Sequence, residues 1–140
     1  MQSGIVILIA FLLFVPPIID WVNGAVKSNN SCRVAMVMDG DTVKISCPAT
    51  GIENGRIMGF DAPEKNARCV SEYAKAIQAT WALRIMLWRA STIDIIPNGK
   101  DRYDRTLMTL HVDGKNVTDA MIETGYARSY KGGRRGSWCE

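Results

Sequence analysis

Residues 33–47 read RVAMVMDGDTVKISC, two short apolar-patterned runs on either side of Asp39-Gly40. Asp-Gly between such runs is a strong local signal for a β-hairpin with a two-residue turn. The strands are then 33–38 and 42–47, and opposed residue numbers add to 79. Cys32 and Cys47 satisfy that rule, so they face each other within disulfide reach. Cys69 is left to pair with Cys139, which pins the C-terminal tail to the middle of the chain. The alternative is four buried free thiols. None of the four belongs to a C-x-x-C pair, which gives little support to a zinc site. Disulfides of this kind belong in an oxidising compartment.

Outward from the hairpin, the turn-rich stretches Pro48-Ala49-Thr50-Gly51 and Glu53-Asn54-Gly55 lead to a third strand over 55–60. A helix is expected over 71–90. Tyr73, Ile77, Trp81, Ile85 and Trp88 recur there every three or four residues, and this stripe reads as the core face. A strand over 92–96 ends at Pro97-Asn98-Gly99, and a strand over 106–112 turns at Asp113-Gly114. Residues 117–124 form a short helix closed by Gly125, before a basic, glycine-rich tail without periodicity. This order suits an α+β chain: a five-stranded OB-type β-barrel with a helix inserted after strand three and a short second helix. Such barrels often bind single-stranded nucleic acid, although a fold does not establish a function.

The N-terminus reads differently. Residues 4–15, GIVILIAFLLFV, carry no polar side chain. A run of that length suits a signal-peptide core better than a span of ~20 residues. Counted through Val22 it could still span, with Pro16-Pro17 making a kink. No Lys or Arg precedes it, and the best small-residue cleavage point lies before Ala25. Residues 1–25 are therefore a signal peptide or a membrane anchor, 26–31 a linker, and 32–140 the exported domain. Either reading places the domain in the periplasm or outside the cell, and the expected state is a monomer. The 140 residues are 47% hydrophobic and 22% charged, which excludes a disordered, collagen-like or coiled-coil chain. The formal charge is +3. Residues 1–25 hold one acid, Asp20, and no Lys or Arg, so the remainder is mildly basic and compatible with a polyanionic partner.

Two constellations carry chemistry. Asp41, Asp61 and Glu64 come from strand ends or loops, where hard oxygen ligands can converge on one cation. Carboxylates without nearby His or Cys favour Ca²⁺ or Mg²⁺ over zinc, and the Ala62 carbonyl could add a further oxygen. Arg56 can point the same way as Asp61 if the strand bends at Gly59. The charged loop Asp101-Arg102-Tyr103-Asp104-Arg105 offers in Arg105 a planar fork for a phosphate. His111, the single histidine, sits mid-strand and reads as structural, and Trp138 beside Cys139 reads as a packing residue.

Taken in order, DGDTVKI (39–45), RIMGFDAPE (56–64), DRYDRTL (101–107) and DGKNVTDAMIETGYA (113–127) resemble the staphylococcal-nuclease-like, or thermonuclease, family. The resemblance covers about residues 33–130. It implies a Ca²⁺-dependent phosphodiesterase on an OB barrel that cuts DNA and RNA at the 5′ P–O bond. Asp41 and Asp61 match the family's carboxylate metal ligands, and Ala62 stands where a backbone carbonyl reaches the metal. Glu64 matches the proposed general base, and Arg56 and Arg105 the two phosphate-gripping arginines. Arg102 and Tyr103 fall where a basic residue and a tyrosine lie near the terminal phosphate. Asp104 departs from the family's usual Gly, and a carboxylate there could pair with Arg105 or Arg102. A basic tail closed by a cysteine resembles exported bacterial members, with Arg134 and Arg135 either touching phosphate or merely solvated. The rival reading is a catalytically weak OB-fold module binding single-stranded nucleic acid at the membrane or in a DNA-transfer apparatus. Retention of Asp41, Asp61, Glu64, Arg56 and Arg105 together favours the enzyme.

Overall fold

The computed structural model describes residues 2–28 and 32–139. Asn29, Asn30 and Ser31 of the expected linker lie outside the described residues, as does Glu140. The elements are α1 (Gln2–Lys27), β1 (Arg33–Val37), β2 (Thr42–Cys47), β3 (Gly51–Ile57), β4 (Phe60–Asp61), α2 (Val70–Arg89), β5 (Ile93–Lys100), β6 (Thr106–Val112), β7 (Lys115–Asn116), α3 (Val117–Glu123) and β8 (Arg128–Ser129). The main sheet is mixed and six-stranded, running β1-β2-β3-β6-β5 with β7 added on β6, and β4 pairs with β8 apart from it. β3 and β6 run parallel and the other pairs antiparallel.

The barrel expected from the sequence is not closed. Among the described residues an isolated bridge from Ser28 to Ile93 stands where a β1–β5 ladder would seal it. The chain leaves the sheet after Ile57, turns at Gly59 with φ 95°, and spends Phe60 and Asp61 on the small β4–β8 ribbon. The third strand accordingly runs over 51–57 rather than 55–60, and the expected turn Glu53-Asn54-Gly55 lies inside it. β5 likewise continues through Pro97-Asn98-Gly99 to Lys100, which its edge position permits because an edge strand tolerates a proline.

The first hairpin holds a compensation. Val37 pairs with Val43, one residue out of the two-residue-turn register, because residues 39–41 form a longer loop. A bulge at Ala35 restores the register, so Val34 pairs with Ile45 and Arg33 with Ser46 as the Asp-Gly rule requires. Cys32–Cys47 forms as expected, and so does Cys69–Cys139. Gly40 owes its place to space rather than to backbone conformation. A Cβ there would lie 2.7 Å from the Ala79 Cβ and 2.9 Å from the Ala62 Cβ.

The core gathers Ile45, Ile57, Phe60, Leu83, Leu87, Ile95, Met108 and Leu110, all essentially inaccessible. α2 faces it with Ala76, Ala79, Leu83 and Leu87, not with the aromatic stripe. Tyr73 and Ile85 are exposed, and Trp81 and Trp88 meet edge to face on a flank with centroids 5.9 Å apart. The correction has a steric cause: small residues let α2 come close to the sheet and the 39–41 loop, where indole rings would hold it away.

Candidate active site

Asp41 ends the first hairpin's loop and is 4% exposed. Its Oδ1 accepts from Thr42 Oγ1 (2.9 Å) and its Oδ2 from Ala62 N (3.3 Å), which ties the hairpin to the turn after β4. Asp39, the other acid of the motif, holds the loop instead, accepting from Gly40 N, Lys65 N and Thr80 Oγ1. Burial, with Asp41 nearby, pushes the Asp39 carboxyl above its usual pKa despite those hydrogen bonds. Arg56 lies opposite Thr42 in the β2–β3 ladder, and the break at Gly59 folds Phe60 back so that Arg56 NH2 donates to its carbonyl (3.1 Å). Arg56 forms its ion pair with Asp41, not Asp61, and NH1 stands against that carboxylate without hydrogen-bond geometry.

Asp61 is 2% exposed and ringed by the C-terminal tail. Its Oδ2 accepts from Arg128 NH2 (3.1 Å) and Trp138 Nε1 (3.0 Å), and its Oδ1 lies 3.4 Å from Arg135 Nε. Arg135 NH1 reaches on to Glu64 Oε1 at 2.7 Å, where the Glu64 side chain is half exposed. Burial works against the Arg135 charge, but Asp61, Asp41 and Glu64 outweigh it and raise its pKa. The tail is itself held: Lys75 Nζ donates to Trp138 O, Arg128 to Ser137 O, and Cys139 is bonded to Cys69. Trp138 therefore packs and also binds a site carboxylate. Arg135, with 32% of its side chain exposed, is paired with Asp61 and Glu64 rather than left to solvent or to phosphate. Nothing in local sequence marks this contact; the Cys69–Cys139 pairing was the available hint.

The arginine loop sits across a cleft of about 1070 Å³ lined by Arg56, Glu64, Arg102, Tyr103, Arg105 and Arg135, among others. Arg105 pairs with Asp101 (2.7 Å), and its N–H also donates to that carboxylate. Although burial opposes it, hydrogen bonds from Arg105 and Tyr103 N hold the Asp101 carboxyl below its usual range. Arg102 and Arg105 stack on the exposed Tyr103 ring at 4.8 and 5.5 Å. Among the described residues Asp104 forms an ion pair with neither Arg102 nor Arg105. It carries φ 61°, the left-handed conformation that a glycine would adopt freely and that Asp tolerates better than most residues.

Glu64 thus lines the cleft together with Arg56 and Arg105, while Asp41 is joined to the site through the Ala62 backbone and its ion pair with Arg56. A small polar cavity of about 80 Å³ lies between Asp61, Ala62, Glu64 and Arg135. The Asp61 and Glu64 carboxylates and the Ala62 carbonyl offer only oxygen, the donor type of a hard divalent cation, and the Arg128 and Arg135 guanidinium groups hold the charge that such an ion would replace. Such an arrangement can hold a cation beside an anionic diester and present a half-exposed carboxylate to water.

The family model described as Staphylococcal nuclease homologue matches residues 54–137. The chain is 29% identical over 105 residues to an uncharacterized endonuclease of Haemophilus influenzae, covering 75% of this chain and 55% of that protein. It is 30% identical over 105 residues to Endonuclease YhcR of Bacillus subtilis, covering 69% of this chain and 9% of that protein. The chain thus spans about half the length of the first relative and a small part of the second. The match runs from β3 through the arginine loop to the tail that encloses Asp61, most of the cleft just described, and the chain belongs to the staphylococcal nuclease homologue family.

Proposed function

We propose that the protein is an exported, Ca²⁺-dependent nuclease that hydrolyses phosphodiester bonds of DNA, RNA or both. The observation that carries this reading is a cleft lined by Arg56, Arg105 and Glu64 beside a smaller cavity lined by Asp61, Ala62 and the same Glu64, with Asp41 tied to the Ala62 backbone and paired with Arg56. Asp41, Asp61 and the Ala62 carbonyl would hold the ion, with the sheet and inserted helix read as an OB-type variant. A bound Ca²⁺ supplies charge neutralisation at the diester oxygens. Arg56 and Arg105 neutralise the charge that grows as the five-coordinate phosphorus forms. Glu64, exposed to solvent at the rim, orients and deprotonates the attacking water. Arg102 and Tyr103 sit one step along the cleft, where they grip a neighbouring phosphate. Arg135 must leave Glu64 before that carboxylate can act as a base.

The exported setting is supported by two disulfides and by α1, which is long and apolar enough to cross a membrane. The guanidinium contacts on Asp61 and Glu64 favour one rival, a binding module with a silenced site. Digestion of plasmid and RNA by the full chain, with Ca²⁺ or with a chelator, separates the two. Cleavage that stops on chelation is the expected result; binding without cleavage in Ca²⁺ would leave the module.

A further inference from the structure

α1 lives in two environments. From Ile5 to Phe14 every large apolar side chain is 50–69% exposed, on all sides of the helix rather than along one face. A helix of a water-soluble domain hides such a surface. The C-terminal part instead buries Pro16, Asp20 and Gly24, spaced by four on one face. A Cβ at Gly24 would lie 1.7 Å from the Val34 carbonyl oxygen, so backbone meets backbone there. Asn23 Nδ2 donates to Leu87 O (3.0 Å) and Lys27 Nζ to Trp88 O (2.5 Å). The Asp20 carboxylate is 3% exposed and accepts from Val37 N (3.1 Å), Arg84 Nε (3.1 Å) and Trp88 Nε1 (2.8 Å).

These contacts decide between the two fates that the sequence leaves open. Cleavage before Ala25 would remove Asp20 together with the helix that covers Arg84, leaving that guanidinium its bond to Val37 O (3.0 Å) but not its carboxylate. The domain would also lose the packing of Gly24 on Val34 and the bond from Asn23 to Leu87 O, and the side of β1 and α2 that α1 covers would open to water. The Trp88 indole N–H and the Val37 N–H would lose their acceptor in the same step.

We infer that α1 is a retained membrane anchor whose partner is a lipid bilayer, and that Asp20 locks it onto the nuclease-family domain. Residues 2–19 hold no charged side chain. Pro16 already packs on the domain, so the stretch wholly free for lipid is 2–15, about 21 Å at ~1.5 Å per residue against the ~30 Å hydrocarbon thickness of a bilayer. The exposed Ile18 and Ile19 extend its apolar surface. Trp21, 40% exposed with Arg33 over its ring at 4.9 Å, stands where the apolar stretch meets the domain, the level at which aromatic belts sit. The domain is thereby held against the membrane surface rather than on a free tether. The inference uses the exported setting proposed above but not the nuclease chemistry.

The test expresses the full chain in a bacterium, fractionates it, washes membranes with alkaline carbonate and measures intact mass. The expected species begins at residue 1 and stays with the membranes; a soluble species beginning at Ala25 overturns the anchor. Protease added to spheroplasts should reach the domain. Protection of a membrane-retained chain would support the anchor and refute export. Purified full chain should float with phosphatidylethanolamine–phosphatidylglycerol vesicles, and self-association through α1 without flotation would assign the apolar surface to a second copy. In vesicles, Asp20→Ala should speed tryptic cleavage after Lys27 at least tenfold, and the milder Asn23→Ala several-fold if Asp20→Ala fails to fold. Wild-type rates in both variants overturn the lock.

Discussion

Three side chains decide how the cleft behaves. Glu64 is half exposed and shares its carboxylate only with Arg135 in the described contacts. Replacement by the near-isosteric Gln should lower turnover ~10²–10⁴-fold, the usual cost of losing a general base. Substrate affinity and melting temperature should stay close to wild type, and wild-type turnover in Glu64→Gln would remove the residue from the mechanism. Arg135 bridges Asp61 and Glu64 in the way a cation would. Arg135→Ala should therefore tighten Ca²⁺ binding, measured by isothermal titration, because the ion no longer displaces a guanidinium; unchanged or weaker affinity would show that the bridge does not compete. Asp104 occupies a left-handed turn position without pairing with the neighbouring arginines. Asp104→Gly removes one negative charge from the edge of the cleft, so kcat/KM should rise modestly and most at low ionic strength, where exposed charges are least screened. A ratio to wild type that stays at one across a salt series would discard that effect.

At the scale of elements, the sequence was most legible where the signal was local. The Asp39-Gly40 motif located the hairpin and both disulfides, although two departures, the longer loop and the bulge at Ala35, had to cancel for the register at Cys32 to hold. The candidate carboxylates and arginines stood out because each sits beside a turn or strand end that the sequence marks. Long-range packing was not. The buried face of α2 is set by the need for Ala79 to pass Gly40 and Ala62, a contact between three distant segments, and a helical stripe of larger aromatic residues outshone it. The tail's grip on Asp61 was hidden for the same reason, since residues 61 and 135 meet only after α2 is in place. Gly40→Ala tests the packing directly. Its methyl group would press on two rigid Cβ atoms, so stability should fall by ~1–3 kcal/mol, the usual range for overpacking. Calcium affinity should weaken with it, because Asp41 and Ala62 flank the crowded point; an unshifted denaturation midpoint would contradict the close approach.

For the whole molecule, Cys69–Cys139 closes a loop of sequence separation 70 and fastens the tail beside α2. Cys69→Ser with Cys139→Ser should cost ~2–4 kcal/mol in chemical denaturation. The same pair should loosen Arg135 and tighten Ca²⁺ binding; a calcium affinity equal to wild type would mean that the tail holds its position without the bridge. One seam has a further consequence, for time rather than for energy. β3 and β6 are the parallel pair, joining 55–57 to 106–108, with Arg56 on one strand and Arg105 immediately before the other. The β1–β2–β3 meander can assemble from neighbouring residues, whereas this seam requires closure of a long loop, the slow kind of contact. Arg56 and Arg105 are therefore brought together by one late event. During refolding, strand signal should appear before any capacity to act on a phosphodiester, and on the proposed function a chain emerging from the ribosome stays inactive toward nucleic acid until β6 has docked.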